Sequence, residues 1–281
     1  MSLSRRHMLT LIGGGTVLAA TAGAGAFLTT RTPHAALAPW TSAGRYGDAR
    51  LDALSWALLA PNPHNRQPWL AELVGTDGLR LYRDPARDLP QTDPFGRQLT
   101  IGMGCFIELM IIAASASGHA VELTLFPQGE APHAPVAEAR FIEGAATPDP
   151  LFAHAPERRT NRQAYEARLP EPAARAELET YARVIIDADA VSALRRLTWD
   201  GWLTEAMTPA AHSETVDLMR IGRREIEASP DGVALGGPLL ESLALAGILT
   251  RESQRDPKSR GFQIGVDMYA EILAATPAYA V

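Results

Sequence analysis

The chain has 281 residues, 46% of them apolar and 21% charged, with a formal net charge of −6. That is enough apolar material for one or two globular domains. The acidic balance gives no basic footprint for nucleic acid, and no zinc-finger, helix-turn-helix or RNA-binding motif is visible. The single cysteine, Cys105, excludes an internal disulfide, and the seven histidines show neither an H-E-x-x-H string nor paired-ligand spacing, which argues against a metal site.

In chain order, Ser4-Arg5-Arg6-His7-Met8-Leu9 heads a weakly hydrophobic, Gly/Ala-rich stretch from Leu11 to Leu28. A twin arginine before such a stretch reads as a twin-arginine export signal, used for proteins that cross the membrane folded. The expected partner is that export machinery, and the expected location is the periplasm or cell envelope. Met8 stands where Phe is usual and Thr10 where Lys is frequent. The stretch is long enough to compete as an anchor, but its Gly, Thr and Ala content favours cleavage or a loose tether over a stable membrane span. Small residues at Ala22 to Ala26 and Ala36 to Ala38 offer cleavage sites, although Pro39 spoils the second.

Residues 29 to 47 read as a polar linker bearing Pro and Gly. Asp48 to Leu59 reads as a helix, with Leu51, Leu54, Ala57 and Leu58 at helical spacing. Ala71 to Val74 and Leu79 to Tyr82 flank Thr76-Asp77-Gly78, a hairpin signal. Gly104 to Ser117 is apolar nearly all round and ends at Gly118, a suitable C-cap, which predicts a buried central helix. Cys105, inside it, reads as a small buried hydrophobe rather than a nucleophile. Val121 to Phe126 and Glu138 to Ile142 read as strands, and Pro148 to Pro156 as a link. Beyond it come a helix from Glu171 to Tyr181, a strand from Val184 to Ile186, and a helix from about Ala188 capped by Asp187. Trp199, Trp202 and Leu203 give that helix an apolar face, read as core packing rather than stacking on a ligand. Glu271 to Ala275 reads as a helix or lead-in, and Thr276 to Val281 as the beginning of a strand.

Two strings carry chemistry. In Ala60-Pro61-Asn62-Pro63-His64-Asn65-Arg66-Gln67-Pro68-Trp69, three prolines fix φ and remove backbone donors, which holds a rigid, non-helical loop. Asn62, Asn65 and Gln67 each offer an acceptor and two donors, suited to the edge of a flat heterocycle. The plain alternative is a Pro-rich loop capping a helix, its amides bonded to backbone. In Arg158-Arg159-Thr160-Asn161-Arg162, guanidinium forks and a hydroxyl suit phosphate oxygens. The plain alternative there is a solvated basic turn.

The first string resembles the A-P-S-x-x-N-x-Q-P-W signature of the nitroreductase-like flavoproteins, which lines FMN in that fold; Asn62 stands where that family usually has Ser. The second is similar to the R-R-S-x-R that opens an ordinary nitroreductase subunit, with Thr160 in place of Ser. The resemblance implies that Pro61, Asn62, Pro63, Asn65 and Gln67 line FMN, and that Arg158, Arg159, Thr160 and Arg162 hold its phosphate and ring edge. Ordinary members carry the arginine motif first, and their flavin lies at a dimer interface. The reversed order here implies a fused tandem acting as a pseudo-dimer within one chain. Phe95-Gly96-Arg97-Gln98-Leu99-Thr100-Ile101-Gly102-Met103-Gly104-Cys105 and Ser229-Pro230-Asp231-Gly232-Val233 resemble segments of the two-domain branch typified by the mycobacterial Acg proteins.

The expected fold is therefore α+β and nitroreductase-like. Residues 1–38 form the signal segment and linker, 39–147 the first half, and 148–281 a second half that lacks its last strand and helices. The resemblance implies hydride transfer from NAD(P)H through FMN to a small nitroaromatic or quinone-type acceptor, with no side-chain acid or base required. No G-x-S-x-G elbow supports a hydrolase. One alternative is a non-enzymatic flavin store, with Met207 to Ser259 as a lid over the site. Another is a domain that kept the fold and lost the flavin.

Overall fold

Residues 27, 29–131 and 133–281 are described by the structure, a computed structural model. The twin-arginine string and nearly all of the apolar stretch behind it lie outside these residues. The segment expected as a plain linker contains two single-turn helices, His34–Leu37 and Pro39–Ser42. Trp40 gives the reason, because it packs partly buried against the core and pins the segment down.

Helix α1, Ala49–Ala57, begins where the Asp48 carboxylate accepts the N–H of Arg50 at 2.9 Å. A side-chain acceptor at this position satisfies one of the free donors of the first turn. The Arg50 guanidinium folds back onto Asp48 and also donates to the carbonyls of Gly75 and Gly78 at 2.9 and 3.2 Å. Hydrogen bonding from Arg50 holds the Asp48 carboxyl down at about 2. One arginine thus ties the start of α1 to the tip of the hairpin, which is formed by β1, Trp69–Val74, and β2, Gly78–Arg83.

The hairpin runs in register from Trp69 opposite Arg83 to Val74 opposite Gly78, as the turn residues predict. With β3, His119–Leu125, and β4, Ala137–Glu143, it forms an antiparallel sheet in the order β1-β2-β4-β3. Helix α2, Arg97–Ala116, is the central helix expected from the apolar run, but it starts at Arg97 rather than Gly104. Its first turn is capped from a distance: the Asp93 carboxylate accepts the N–H of Leu99 at 2.9 Å. A cap from six residues upstream has no local sequence signature.

Met103, Phe106, Met110, Ala113 and Ala114 recur at helical spacing along α2 and are buried against α1 and the sheet. Leu79, Leu81, Ala137, Ala139 and Phe141 meet them from the sheet, and Trp69 lies 4.6 Å from Phe106 between ring centroids. Each fully buried large apolar side chain here contributes about 1.5–3 kcal/mol. Among the described residues α2 is the helix long and apolar enough to cross a membrane, and it serves instead as the core helix of this layer.

The remaining residues build α3, Pro172–Leu178; β5, Val184–Ile185; α4, Ala188–Met207; α5, Pro209–Asp217; and β6, Met219–Ile221. They continue with α6, Gly222–Ala228; β7, Val233–Leu235; α7, Pro238–Leu245; α8, Arg251–Arg255; α9, Arg260–Ala275; and β8, Tyr279–Ala280. Asp187 caps α4 as expected, accepting the Ala190 N–H at 2.9 Å. The strand beginning near Thr276 becomes β8 and pairs antiparallel with β5. Strands β6 and β7 pair in parallel across α6. The fold is thus mixed helix and sheet. Trp199 and Trp202 are half-buried in a stack with Tyr269, at centroid separations of 5.5 and 4.5 Å, rather than sunk in a core.

Residues 207–259, read from their Gly and Pro content as polar lid material, fold into α5 to α8 with the two short strands between. Val216, Met219, Ile226 and Leu249 form their buried side. These apolar residues are spread over several short elements, so no single window shows a period.

Candidate functional site

After α1 the chain tightens through Leu59 and Ala60, whose N–H groups bond to Trp56 and Ala57 carbonyls, and then enters the Pro-rich loop. Pro63–Asn65 form one 3₁₀ turn where a wholly non-helical loop was expected. His64, Asn65 and Gln67 have φ of 48°, 51° and 51°. This left-handed region costs an L-residue roughly 1–2 kcal/mol, least for Asn. Three such residues in four positions make a strained loop, so its shape is imposed by contacts.

Some of those contacts are internal. Asn62 Oδ1 accepts the Gln67 N–H at 2.7 Å, and Asn62 Nδ2 donates to the Ala60 carbonyl at 3.2 Å. The loop lies on α2 at Gly102, where an added Cβ would stand 3.1 Å from Asn62 Cβ and 3.2 Å from Pro63 Cδ. Others come from residues 229–232, which cross over the loop between α6 and β7. The Pro230 carbonyl accepts from Asn65 Nδ2 at 3.0 Å and from Gln67 Nε2 at 3.2 Å. The Gly232 N–H donates to the Asn65 carbonyl at 3.1 Å. The amide groups are thus bonded to protein backbone, the plain alternative weighed for this loop.

Arg66, between those two amide residues, is buried and donates to Asp231 at 2.6 Å. Arg87 and Arg220 approach the same carboxylate at 2.8 and 3.0 Å, and the Ser229 hydroxyl donates to it at 2.7 Å. Burial works to raise the Asp231 pKa, but the bonds from Ser229 and Arg220 and the surrounding arginines outweigh it and hold the group low. For Arg66 burial dominates and pulls the guanidinium down, with Asp231 opposing. Neither residue stood out from the sequence as a pair. Each falls inside a quoted motif, but the partnership spans 165 residues.

His64 Nε2 lies 2.9 Å from the Thr215 hydroxyl on α5. Burial, with the charges of Arg66 and Arg162, lowers its pKa against the opposing effect of Glu214. Beside Arg66 and α5 is a cleft of about 440 Å³ whose lining includes Asp88, Glu214 and Asp217. Those carboxylates suit it poorly to a phosphate.

The arginine string lies in irregular chain well before α3. Arg158 Nη2 donates to the Leu59 carbonyl at 2.6 Å, three residues before Asn62. Its Nε is buried with no hydrogen-bond partner among the described residues. Burial and the neighbouring Arg159 pull the Arg158 pKa down. Arg159 turns to Trp40, its guanidinium carbon 3.3 Å from the ring centroid, and also bonds to nearby carbonyls. Thr160 and Arg162 are exposed, with Arg162 near enough to act on the charge state of His64. The structure therefore joins Arg158 to the base of the loop and places Arg162 in electrostatic reach of it. Arg159 is diverted to Trp40, a residue that the linker reading passed over.

Among the described residues no group of three or more His, Cys, Asp or Glu side chains is arranged to hold a metal ion. No protein-family model matches the chain. Two Mycobacterium tuberculosis proteins, named "Putative NAD(P)H nitroreductase Rv3131" in strain H37Rv and "Putative NAD(P)H nitroreductase MT3217" in strain CDC 1551, are each 31% identical to it over 113 residues. That match covers 40% of this chain and 33% of each relative. A further H37Rv protein, "Uncharacterized protein Rv3127", is 34% identical over 86 residues, 29% of this chain and 24% of its own length. The chain thus spans about a third of the length of the first two relatives, which are the ones named as NAD(P)H nitroreductases, and a quarter of the third.

Proposed function

We propose that this chain is a nitroreductase-like, FMN-binding oxidoreductase that takes hydride from NAD(P)H and passes it to a small nitroaromatic or quinone-type acceptor. The observation that carries the reading is the meeting of the two strings: Arg158, from the second, bonds at Leu59, where the Asn62–Gln67 loop of the first begins. A buried guanidinium N–H without a partner, beside a second arginine, is a donor set suited to a phosphate. Two amides already donating to a single carbonyl are suited to a ring carbonyl. The similarity to proteins named as nitroreductases supports the same reading.

In this reading Arg158, Thr160 and Arg162 hold the phosphate, and Asn62, Asn65 and Gln67 face the ring edge between Pro61 and Pro63. Bound flavin supplies the hydride chemistry, and the protein's residues bind and orient it. One flavin is held per chain, between residues 39–147 and 148–281 acting as a pseudo-dimer. Arg5-Arg6 and the stretch behind them support export by the twin-arginine route to the periplasm or cell envelope.

A second reading, flavin storage without turnover, is favoured by the segment 229–232 lying across the loop. Anaerobic addition of NADPH to the yellow protein separates the two. Bleaching supports the oxidoreductase and a stable yellow colour supports storage. Arg158→Ala should weaken FMN binding by about 1.5–3 kcal/mol, as for hydrogen bonds to a charged group. An unchanged FMN titration in that variant removes Arg158 from the site.

A further inference from the structure

Pro230 is the acceptor for two of the three amides that the flavin reading assigns to the ring edge, Asn65 and Gln67, and no other backbone carbonyl bonds to either of these two among the described residues. Its neighbours anchor it there. Asp231 is buried with Arg66, Arg87, Arg220 and Ser229 around its carboxylate, and Gly232 donates to Asn65. Gly232 has φ of +84°, and an added Cβ would stand 2.3 Å from the Leu218 carbonyl, so the turn admits no other residue without moving.

We infer that residues 229–232 form an internal plug, in which the Pro230 carbonyl stands in for a flavin ring carbonyl on Asn65 and Gln67 and Asp231 is the latch that holds it there. This rests on the flavin reading above and goes beyond it, because flavin entry must then displace the plug. Each amide has a second N–H, but the pair of N–H groups that converges on the Pro230 carbonyl can meet a ring carbonyl in that place only if Pro230 leaves it. Asp231 touches no flavin in this scheme. It is a positioning residue, acting through Arg66 of the loop and through its neighbour Pro230.

The test is the rate of FMN binding to the full chain, followed by flavin fluorescence quenching in stopped flow. Displacement of a plug makes the observed rate level off as FMN rises, at the rate of plug opening. Asp231→Asn should raise that ceiling at least tenfold, and Ser229→Ala, which removes one bond to the latch and leaves Asp231 in place, should raise it by a smaller factor. The Ser229→Ala variant carries the test if Asp231→Asn does not fold. A wild-type rate that stays linear in FMN, or a ceiling unmoved in both variants, overturns the plug while leaving the flavin site standing. Weaker FMN binding in Asp231→Asn without faster entry means that Asp231 is merely structural, and also overturns it. No quenching in the wild type or any variant overturns the flavin reading and the plug together.

Discussion

Replacing Gly102 by alanine sets two effects of known size against each other at the contact between loop and core helix. Gly102 lies inside α2, where alanine is favoured over glycine by about 1 kcal/mol. Against this, the new methyl would stand 3.1 Å from Asn62 Cβ and 3.2 Å from Pro63 Cδ. Carbon atoms prefer about 3.5–4.0 Å, so the loop must yield by a few tenths of an ångström. It cannot yield by rotating a side chain, because the contacts are a Cβ and a proline ring. Overpacking of this kind costs about 1–3 kcal/mol. The expected sum runs from neutral to about 2 kcal/mol destabilising. Ligand binding is affected as well, because Asn62 moves with the loop and also holds the Gln67 N–H. Gly102→Ala should therefore weaken FMN binding. Gly104, two residues along the same helix, is exposed with nothing within 4 Å of an added Cβ. Gly104→Ala should therefore stabilise by about 1 kcal/mol, raising Tm by about 2–4 °C, with FMN affinity unchanged. Thermal melts and FMN titrations of both variants are the assay. Equal stabilisation by the two alanines, with equal FMN affinity, refutes the reasoning.

His64 has its pKa lowered from 6.5, first by burial, so the folded chain declines a proton that the unfolded chain accepts. Its contribution is present above 6.5 and lost as pH falls below it. The drop in Tm between about pH 7.5 and about pH 5.5 should be smaller in His64→Gln than in the wild type, and an equal or larger drop contradicts the assignment. In the sheet, Leu81 is fully buried on the inner strand β2. Leu81→Ala should cost about 2–5 kcal/mol in a urea melt. Leu70→Ala, on the edge strand with half its surface exposed, should stay within about 0.5 kcal/mol, and similar midpoints for the two variants would place the core wrongly.

The first layer was legible because its signals are local. The helical period over 48–59, the turn at Thr76-Asp77-Gly78 and the apolar run after Gly104 each lie within one element, although Leu51 and Leu58 are exposed and the buried face of α1 is carried by Ala53 and Ala57. What stayed hidden depends on residues distant in sequence. The start of α2 depends on Asp93, and the packing of residues 29–47 on Trp40 reaching the core. The elements of 207–259 depend on Val216, Met219, Ile226 and Leu249 meeting from separate short segments. At the site, residue type announced the amides and arginines but not their partners. The sequence of Asn65 and Gln67 suits a heterocycle and a backbone carbonyl equally well, and only the position of Pro230 shows which they bond in this structure.

That ambiguity has a physical root in the strain of the loop. His64, Asn65 and Gln67 at positive φ do not hold a common direction by local preference, since a free chain would relax each toward negative φ. Proline at positions 61, 63 and 68 narrows the choices of its own residues and of those just before them, Gln67 included, but toward extended backbone at negative φ, so it accounts for the positive φ of none of the three. What fixes them comes in part from the second region: Gly232 on the Asn65 carbonyl, Asp231 on Arg66, Thr215 on His64 and Pro230 on the two amides. The first region supplies the turn bonds from the Asn65 and Arg66 N–H groups to the Asn62 and Pro63 carbonyls, the Asn62 bond to the Gln67 N–H, the Arg66 bonds to the Arg87 and Ala86 carbonyls, and the contact with Gly102. The loop is therefore not presented by residues 39–147 alone. Its donors point together because residues 215–232 hold them so, and any ligand that takes those donors acts on both regions at once.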